Sequence, residues 1–513
     1  MKNTTIPSLN RTDFYKTDHR PQYVPGTTEV YSNGTFRGSR IAGINEVVWF
    51  GLQYYMKEYL IKQFNETFFS ADKDKVLKTY KRRLDTSLGK DAVSVDHIAY
   101  LYELEYLPVI IKAIAEGTSV PMRIPVFTVK NTESHRIPEF FWVTNFLETL
   151  LSKVWYPSTS ATTAKRYYEI FSRYANKTLK DKSFVQWQGH DFSDRGHTSE
   201  ESAMISAMAH LIFFTGTDTI KGIDGHELYY NADAEKELIG GSVPATEHSV
   251  MCMGGKENEY ATYERLITKT YPKGIVSIVS DTWNLWNVIV NYLPRLKDQI
   301  MNRLDGKVVI RPDSGDPIII LCGIGNPQTK LIESDNPLEL AKEKGVVECL
   351  WEIFGGTTND AGYKVLDPHI GYIYGDSITP ERAEEICKRL EAKGFASTGV
   401  FGIGSYTYQH VTRDTFGFAI KATYGEVNHK PVEIFKDPVT DKGLKKSAKG
   451  LLSVSYDENG KMILNESCDK EQEESGLLIP VFKDGKLLVD HTLADVRSRA
   501  LQSVNVNPEL VEF

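Results

Sequence analysis

Seven short polar stretches carry residue types that can do chemistry. They are HDFSDRG (190–196), TDT (217–219), Glu247–His248, Ser280–Asp281, IRPDSGDP (310–317), Gly375–Asp376 and GIGS (402–405). Together they offer carboxylates suited to sugar hydroxyls (Asp313, Asp376) and cations suited to phosphate (Arg195, Arg311). They also offer glycine-bearing turns whose backbone N–H groups can approach phosphate oxygens. The combination suits a small phosphorylated sugar. Past the last of them, Arg413, Lys421 and the run FKDPVTDKGLKKSAKG add basic residues. That run reads either as a solvated loop or as a grip on polyphosphate.

Each stretch sits at the end of an apolar run, so the elements that carry them matter. From about residue 184 the pattern alternates between short extended runs (SFVQWQGHDF, GTDTIKG, SVPATEHSV, GIVSIVS, KVVIRP, HIGYIYG, STGVFGIG) and helical ones. Among the helices, SEESAMISAMAHLIFF opens on a Ser/Glu capping pattern, and TPERAEEICKRLEAKG has Thr379 as N-cap, Pro380 at its first position and Gly394 past its end. Seven strand candidates alternating with helices indicate parallel β/α units, whose active sites lie at the strand C-termini. A closed or nearly closed α/β barrel is the first choice, and an open doubly wound sheet the alternative. The stretch from about Ile318 to Lys364 reads as an insertion with one helix at PLELAKEKG. The N-terminal part is mixed. INEVVWFGLQYYMKEYLIKQF and ADKDKVLKTYKRRL have helical spacing, LPVIIKAIAEG and MRIPVFTV are strand-like, and FFWVTNFLETLLSKVW reads as an apolar helix of about four turns. At the C-terminus, two hairpins with Asn-Gly and Asp-Gly turns precede a last helix, LADVRSRALQ. The division expected is 1–155 and 416–513 as two parts of one mixed α/β domain, with 156–415 as the catalytic barrel.

Composition narrows the class. A chain of 513 residues exceeds one ordinary core. A formal net charge of −8 argues against a general nucleic-acid binder. The five cysteines are scattered, with no CxxC pair, which fits a reducing compartment rather than a disulfide scaffold or zinc ribbon. No signal-peptide pattern opens the sequence and no apolar run reaches the ~18 residues of a membrane helix, so a cytoplasmic location is expected. GIGSYT lacks the third glycine of a dinucleotide fingerprint, and no GxxxxGK[ST] is present.

The motifs HDFSDRG, FTGTDT, SVPATEHS, VSDTWNLWN, IRPDSGDP, YGDSI and FKDP, in this order, resemble those of nicotinamide phosphoribosyltransferases. So do the N-terminal TDFYKTDH and WFGLQYY and the segment WVTNFLETLLSKVWYP, and the resemblance spans essentially the whole chain. It implies an irregular α/β barrel with a second mixed domain, a homodimer with active sites shared between subunits, and phosphoribosyl transfer from 5-phosphoribosyl-1-pyrophosphate to nicotinamide. It further implies Mg²⁺ and ATP as a coupled substrate. Carried over by position, Phe192 is expected to stack on the base, with Tyr15 of a second subunit on its other face. Asp218 is expected to accept from the carboxamide, and Arg195 and Arg311 to surround base and phosphates. Asp313, Gly375 and Asp376 are expected to hold ribose and phosphate, and Gly404 and Ser405 to approach the 5′-phosphate. Arg413, Lys421 and Lys436 are expected to meet phosphates, and His248 to be phosphorylated, with Glu247 orienting its ring. Asp281 joins His248, Arg311 and Asp313 as a candidate for the chemistry. Two departures stand out: Ser405–Tyr406 where glycines are expected, and Ser193–Asp194 in place of Gly-Tyr.

The chemistry is coherent on its own terms. Displacement at an anomeric carbon needs anions near the ring, cations or Mg²⁺ at the leaving group, and a placed nucleophile. A pyridine nitrogen is unprotonated at neutral pH, so no general base is required. The rival readings are a nicotinate phosphoribosyltransferase, a glycosidase using Asp313 and Asp376 as paired carboxylates, and a binding protein that kept the fold.

Overall fold

The computed structural model describes residues 5–133, 139–436 and 447–505. Most of the basic run after Phe435 lies outside them.

In chain order the N-terminal part supplies strands β1 (Thr27–Phe36), β2 (Val109–Ala113) and β3 (Pro125–Asn131). The middle supplies β4 (Gly189–Asp191), β5 (Gly216–Thr217), β6 (Val276–Val279), β7 (Val308–Arg311), β8 (Ile370–Tyr374) and β9 (Val400–Ile403). The C-terminal part supplies β10 (Phe418–Val427), β11 (Lys430–Glu433), β12 (Leu451–Tyr456), β13 (Met462–Cys468), β14 (Ile479–Lys483) and β15 (Lys486–Leu487). Five helices brace these sheets and position the loops between them: α1 (Trp155–Thr178), α2 (Glu200–His210), α3 (Ile220–Tyr229), α4 (Pro380–Ala392) and α5 (Leu493–Gln502).

The middle strands form a six-stranded sheet in the order β5-β4-β9-β8-β7-β6, every pairing parallel. Register aligns their ends: Ile403 pairs with Asp191, Asp191 with Thr217, Val279 with Arg311, and Tyr372 with Ile310. The sheet is curled. Its two edges, β5 and β6, are linked by the segment 241–245, which makes single parallel bridges to Gly216 on one side and Ser277 on the other. SVPATEHSV was expected as a full strand. Pro244 has no N–H to give the ladder, and only its carbonyl (accepting from Ser277 N at 2.9 Å) and its neighbours take part. The two edges of the curled sheet are therefore joined there by isolated bridges and not by a full strand.

The N- and C-terminal segments share a seven-stranded sheet, β11-β10-β1-β3-β2-β14-β15, with antiparallel pairing throughout. Both expected C-terminal hairpins form, β12–β13 and β14–β15. The Asp484–Gly485 turn of the second has φ of 48° and 78°, the left-handed pair such a two-residue loop demands. Lys112 on β2 and Glu473 form an ion pair at 2.7 Å, both side chains under a tenth exposed, tying one terminal segment to the other. Helix α5 reaches further. Arg499 donates to Glu116 O at 2.6 Å, and Arg497 to Leu211 O at 2.9 Å, in the loop after α2.

Helix α1 is buried on nearly all sides. Its Ser158 and Thr162 hydroxyls satisfy the backbone around Val48 and Phe50. Further along, Tyr167 donates to Ile378 O at 2.8 Å, in the loop after β8. Arg173 grips Glu384 of α4 with two hydrogen bonds.

Local expectations failed where short apolar runs are ambiguous between strand and helix. SFVQWQ ends in a helical turn (Val185–Gln188) before a three-residue strand, and the chain past Thr219 turns directly into helix α3. The helix expected over Phe140–Trp155 is broken into short segments that run on into α1. VVW of the segment INEVVWFGLQYY begins in a short strand, Glu46–Val48. The insertion holds three helices (Pro317–Cys322, Pro337–Lys344, Val346–Phe354) and a small hairpin rather than one helix.

Candidate active site

The loops after the six parallel strands surround a cleft of about 1410 Å³. Phe192, Arg195, Asp218, His248, Asp281, Arg311, Asp313, Gly375, Asp376, Gly404 and Ser405 all line it. Tyr15, Arg413, Lys421 and Lys436 do not. Tyr15 is 59% exposed on the N-terminal segment, and Lys421 sits on β10 across from Asn33. Burial, reinforced by Arg37, Lys436 and Lys16, pulls the Lys421 pKa below its ordinary value, although Glu148 opposes this. Lys421, Arg37, Lys436 and Lys16 form a separate basic patch.

At one end of the cleft, Phe192 N donates to Ile403 O at 3.0 Å, which anchors the residue across β4 and β9. Its ring lies over Gly402, where a Cβ would come within 2.4 Å of the ring carbons. His190 packs beside it, with ring centroids 4.7 Å apart. His190 Nε2 meets Asp218 Oδ1 at 2.9 Å, and the Ser242 hydroxyl donates to the same oxygen at 2.6 Å. Burial works to raise the Asp218 pKa. The His190 and Ser242 hydrogen bonds and the charge of Arg311 overcome it and hold the carboxyl below its ordinary value. Asp218 is thus a fixed, ionised acceptor with its second oxygen, Oδ2, uncommitted among the described residues.

After β7, Arg311 Nη2 donates to Thr246 O at 2.6 Å, and its Nε lies 3.9 Å from Asp313. Asp313 N donates to Asp281 Oδ2 at 3.2 Å. Gly375 leaves room for the Asp313 carboxylate, since a Cβ there would lie 2.1 Å from Asp313 Oδ1 and displace it. Three buried atoms of this group have no hydrogen-bond partner among the described residues: Asp281 Oδ1, Asp313 Oδ1 and Arg311 Nε. Unsatisfied buried charge is costly and marks places a ligand can complete. Burial, with Asp281 and Asp376 nearby, outweighs Arg311 and pushes the Asp313 pKa above its ordinary value.

His248 begins a short helix, its side chain 52% exposed, with Nδ1 3.1 Å from Thr282 Oγ1 and Nε2 3.9 Å from Asp281. Glu247 was expected to orient this ring. It accepts instead from the Ser249 hydroxyl, and Thr282 and Asp281 flank the imidazole. Asp316 caps the helix after it by accepting from Ile318 N.

The sequence reading missed Lys221 and Arg382, both of which line the cleft. Each sits in the first turn of a helix after a rim strand, and that position was the available signal. Lys221 is held by Asp194 at 2.8 Å and by Glu200, so the Asp194 departure is neutralised by a partner in the first turn of α3. The capping box of α2 pairs Ser199 with Ser202 and uses no glutamate. Among the described residues no group of three His, Cys, Asp or Glu is arranged to hold a metal ion by itself, and no helix is long and apolar enough to cross a membrane.

Asp313 yields a stability prediction. A carboxyl with a raised folded pKa favours folding fully only below its unfolded value, and that contribution is lost as pH rises through the folded value. Asp313→Asn should therefore be more stable than the parent at pH 7, with the gap closing near pH 4. Thermal unfolding at both pH values measures this, and an equal gap at both would contradict it.

Residues 187–485 match the model of the nicotinate phosphoribosyltransferase (NAPRTase) family, and residues 8–82 that of the nicotinamide phosphoribosyltransferase N-terminal domain. A nicotinamide phosphoribosyltransferase of Acinetobacter baylyi is 51% identical over 511 residues, covering 97% of this chain and 98% of that protein. One from Mycoplasma pneumoniae is 34% identical over 452 residues, covering 86% and 94%. Among solved structures, Pyrococcus furiosus nicotinate-nucleotide pyrophosphorylase superposes with a TM-score of 0.56 at 14% identity, covering 98% of this chain and 97% of that one. Human nicotinic acid phosphoribosyltransferase gives 0.51 at 14%, covering 97% and 95%. These last two show a shared fold. With a family model spanning more than half its length and relatives this similar nearly end to end, the chain belongs to the nicotinate phosphoribosyltransferase family, among its nicotinamide phosphoribosyltransferases.

Proposed function

We propose that the cleft transfers the phosphoribosyl group of 5-phosphoribosyl-1-pyrophosphate to nicotinamide, giving nicotinamide mononucleotide and pyrophosphate for NAD salvage. One observation carries the reading: Phe192, Asp218, Arg311, Asp313, Gly375 and Asp376, drawn from the ends of several different strands, line a single cleft.

In this reading the Phe192 ring stacks on the pyridine, and the ionised Asp218 accepts from the carboxamide NH₂. That fixes the ring nitrogen, already a lone pair, toward C1′ of the ribose. The nitrogen attacks as the C1′–oxygen bond to pyrophosphate breaks. Asp313 and Asp376 meet the ribose hydroxyls and the positive charge that develops on the ring, while Arg311 and Arg195 offset phosphate charge. Mg²⁺ fits the unpartnered carboxylate oxygens of Asp281 and Asp313, because this ion is commonly held by one or two carboxylates plus substrate phosphates. When bound it neutralises charge on the departing pyrophosphate.

The selectivity follows from charge. A carboxylate opposite an amide NH₂ gains roughly 1.5–3 kcal/mol, whereas opposite nicotinate it meets another anion. Incubation with either base, phosphoribosyl pyrophosphate and Mg²⁺ should give mononucleotide chiefly from nicotinamide. Product from nicotinate alone would refute the assignment, and full activity in excess EDTA would remove Mg²⁺ from it. Asp218→Asn should narrow the kcat/KM ratio of the two bases by about tenfold or more, and an unchanged ratio would remove Asp218 from this role.

ATP coupling through His248 is part of the same reading. In it the exposed His248 ring at the cleft edge takes the γ-phosphoryl group of ATP, releasing ADP, and then loses it to water. His248→Ala should keep some basal synthesis and lose stimulation by ATP. Stimulation that survives the substitution would defeat this role.

The exposed Tyr15, the basic patch with Lys421 and Lys436, and Arg413 are read as contributions to the cleft of a second copy. A mixture of inactive Tyr15→Ala and Asp313→Asn proteins, denatured and refolded together, should regain up to about a quarter of wild-type activity from mixed dimers that hold one intact site. No regain would argue for sites built within one chain.

A further inference from the structure

Arg382 has no part in the assignments above, yet its side chain lines the cleft beside Ser377, Gly404 and Ser405. It stands in the first turn of α4, where its backbone N–H is capped by the Thr379 hydroxyl at 3.3 Å. Its Nη1 donates to Ser377 O at 2.7 Å. No other hydrogen bond of its guanidinium, and no ion pair with a carboxylate, is formed among the described residues. A guanidinium has five N–H donors, so most remain for a ligand. Of the other cations of the cleft, Arg195 is likewise unpaired among the described residues, whereas Lys221 is held between Asp194 and Glu200, and Arg311 is tied to Thr246 O and faces Asp313.

The position is rigid. Arg166 and Arg173 of α1 pair with Glu381 and Glu384 on either side of Arg382 along α4. Tyr174 also donates to Glu384 at 2.7 Å, and Tyr167 holds Ile378 O. Ser377 lies in the left-handed region, at φ 55°, a conformation that a non-glycine residue adopts only when its surroundings impose it. The bond from Arg382 to its carbonyl is one such restraint. The Ser377 hydroxyl in turn donates to Asp376 at 2.7 Å.

The donor substrate carries two kinds of phosphate. The pyrophosphate is the leaving group, and Asp281 and Asp313, after β6 and β7, would hold the Mg²⁺ that offsets its charge. The 5′-phosphate stays on the ribose and takes no part in the bond exchange. It calls for cations free of carboxylates, on the far side of the ribose-binding Asp376. In the strand order, that is the space between β8 and β9, where Arg382 stands with Gly404 and Ser405.

We propose that Arg382 is the side chain that binds the 5′-phosphate of the phosphoribosyl group. The proposal rests on the phosphoribosyl-transfer reading of the cleft. Its test uses the full-length protein with Arg382→Ala and Arg382→Lys. Loss of a charge-assisted phosphate contact should raise KM for phosphoribosyl pyrophosphate about 10- to 100-fold in Arg382→Ala, with KM for nicotinamide and for ATP little changed and part of the loss regained in Arg382→Lys. Direct binding separates the phosphate contact from support of the Asp376 loop. The Ala variant should lose affinity for nicotinamide mononucleotide by a similar factor, while its affinity for nicotinamide riboside, which lacks the phosphate, stays near the parent value. Equal losses for nucleotide and riboside, or a rise confined to KM for ATP, would overturn the proposal. Mononucleotide synthesis by the unsubstituted enzyme tests the underlying reading separately, since it does not depend on the outcome at Arg382.

Discussion

Parallel pairing in register is the constraint on which the rest of the structure depends. Six strands of two to five residues run the same way, so their carboxyl ends form one rim, and residues far apart in sequence become neighbours there. Asp191 beside Thr217, and Val279 beside Arg311, fix where the loops begin. Strands this short make few ladder bonds of their own. They are held by what packs on them, above all the almost fully buried α1, whose side chains bond to the N-terminal segment and to the loops after β8 and β9.

The rim carries opposite charges kept apart by geometry. Asp218 is ionised because His190 and Ser242 donate to it, while Asp313 is pushed toward its neutral form by burial and by the carboxylates around it. The first arrangement is satisfied within the protein. The second leaves Asp281, Asp313 and Arg311 with unmet atoms and lowers the stability of the unliganded chain. Such strain at a site is what a ligand or ion with complementary charge relieves, and it locates the polar work of the cleft at β6 and β7.

The terminal segments have a different logic. Antiparallel pairing of β1 with β10 and of β2 with β14 brings residues hundreds of positions apart into one sheet, the buried Lys112–Glu473 pair ties its two terminal segments together, and helix α5 holds it to the loop after α2. The basic patch around Lys421 belongs to this antiparallel part, as does the exposed Tyr15.

Much of this was legible in the sequence. Alternating apolar runs gave the β/α order, Thr379–Pro380 and Gly394 marked the ends of α4 as found, and the polar stretches after the strands named most of the residues in the cleft. The Asn-Gly and Asp-Gly turns located both late hairpins. These features are local: capping, turn chemistry and periodicity depend on residues within a few positions of one another. What the sequence left open is what depends on contacts between distant segments. The expected strand around Pro244 was reduced to bridges because Pro244 has no N–H to give and its segment's partners, Gly216 and Ser277, lie on two different strands. Lys221 found Asp194 and Glu200, and Arg382 was left without a carboxylate among the described residues, through packing that no spacing along the chain encodes. Residue types alone determined which chemistry was available. Tertiary structure decided which charges are already paired within the protein and which still face the cleft, because pairing is settled by distance in space.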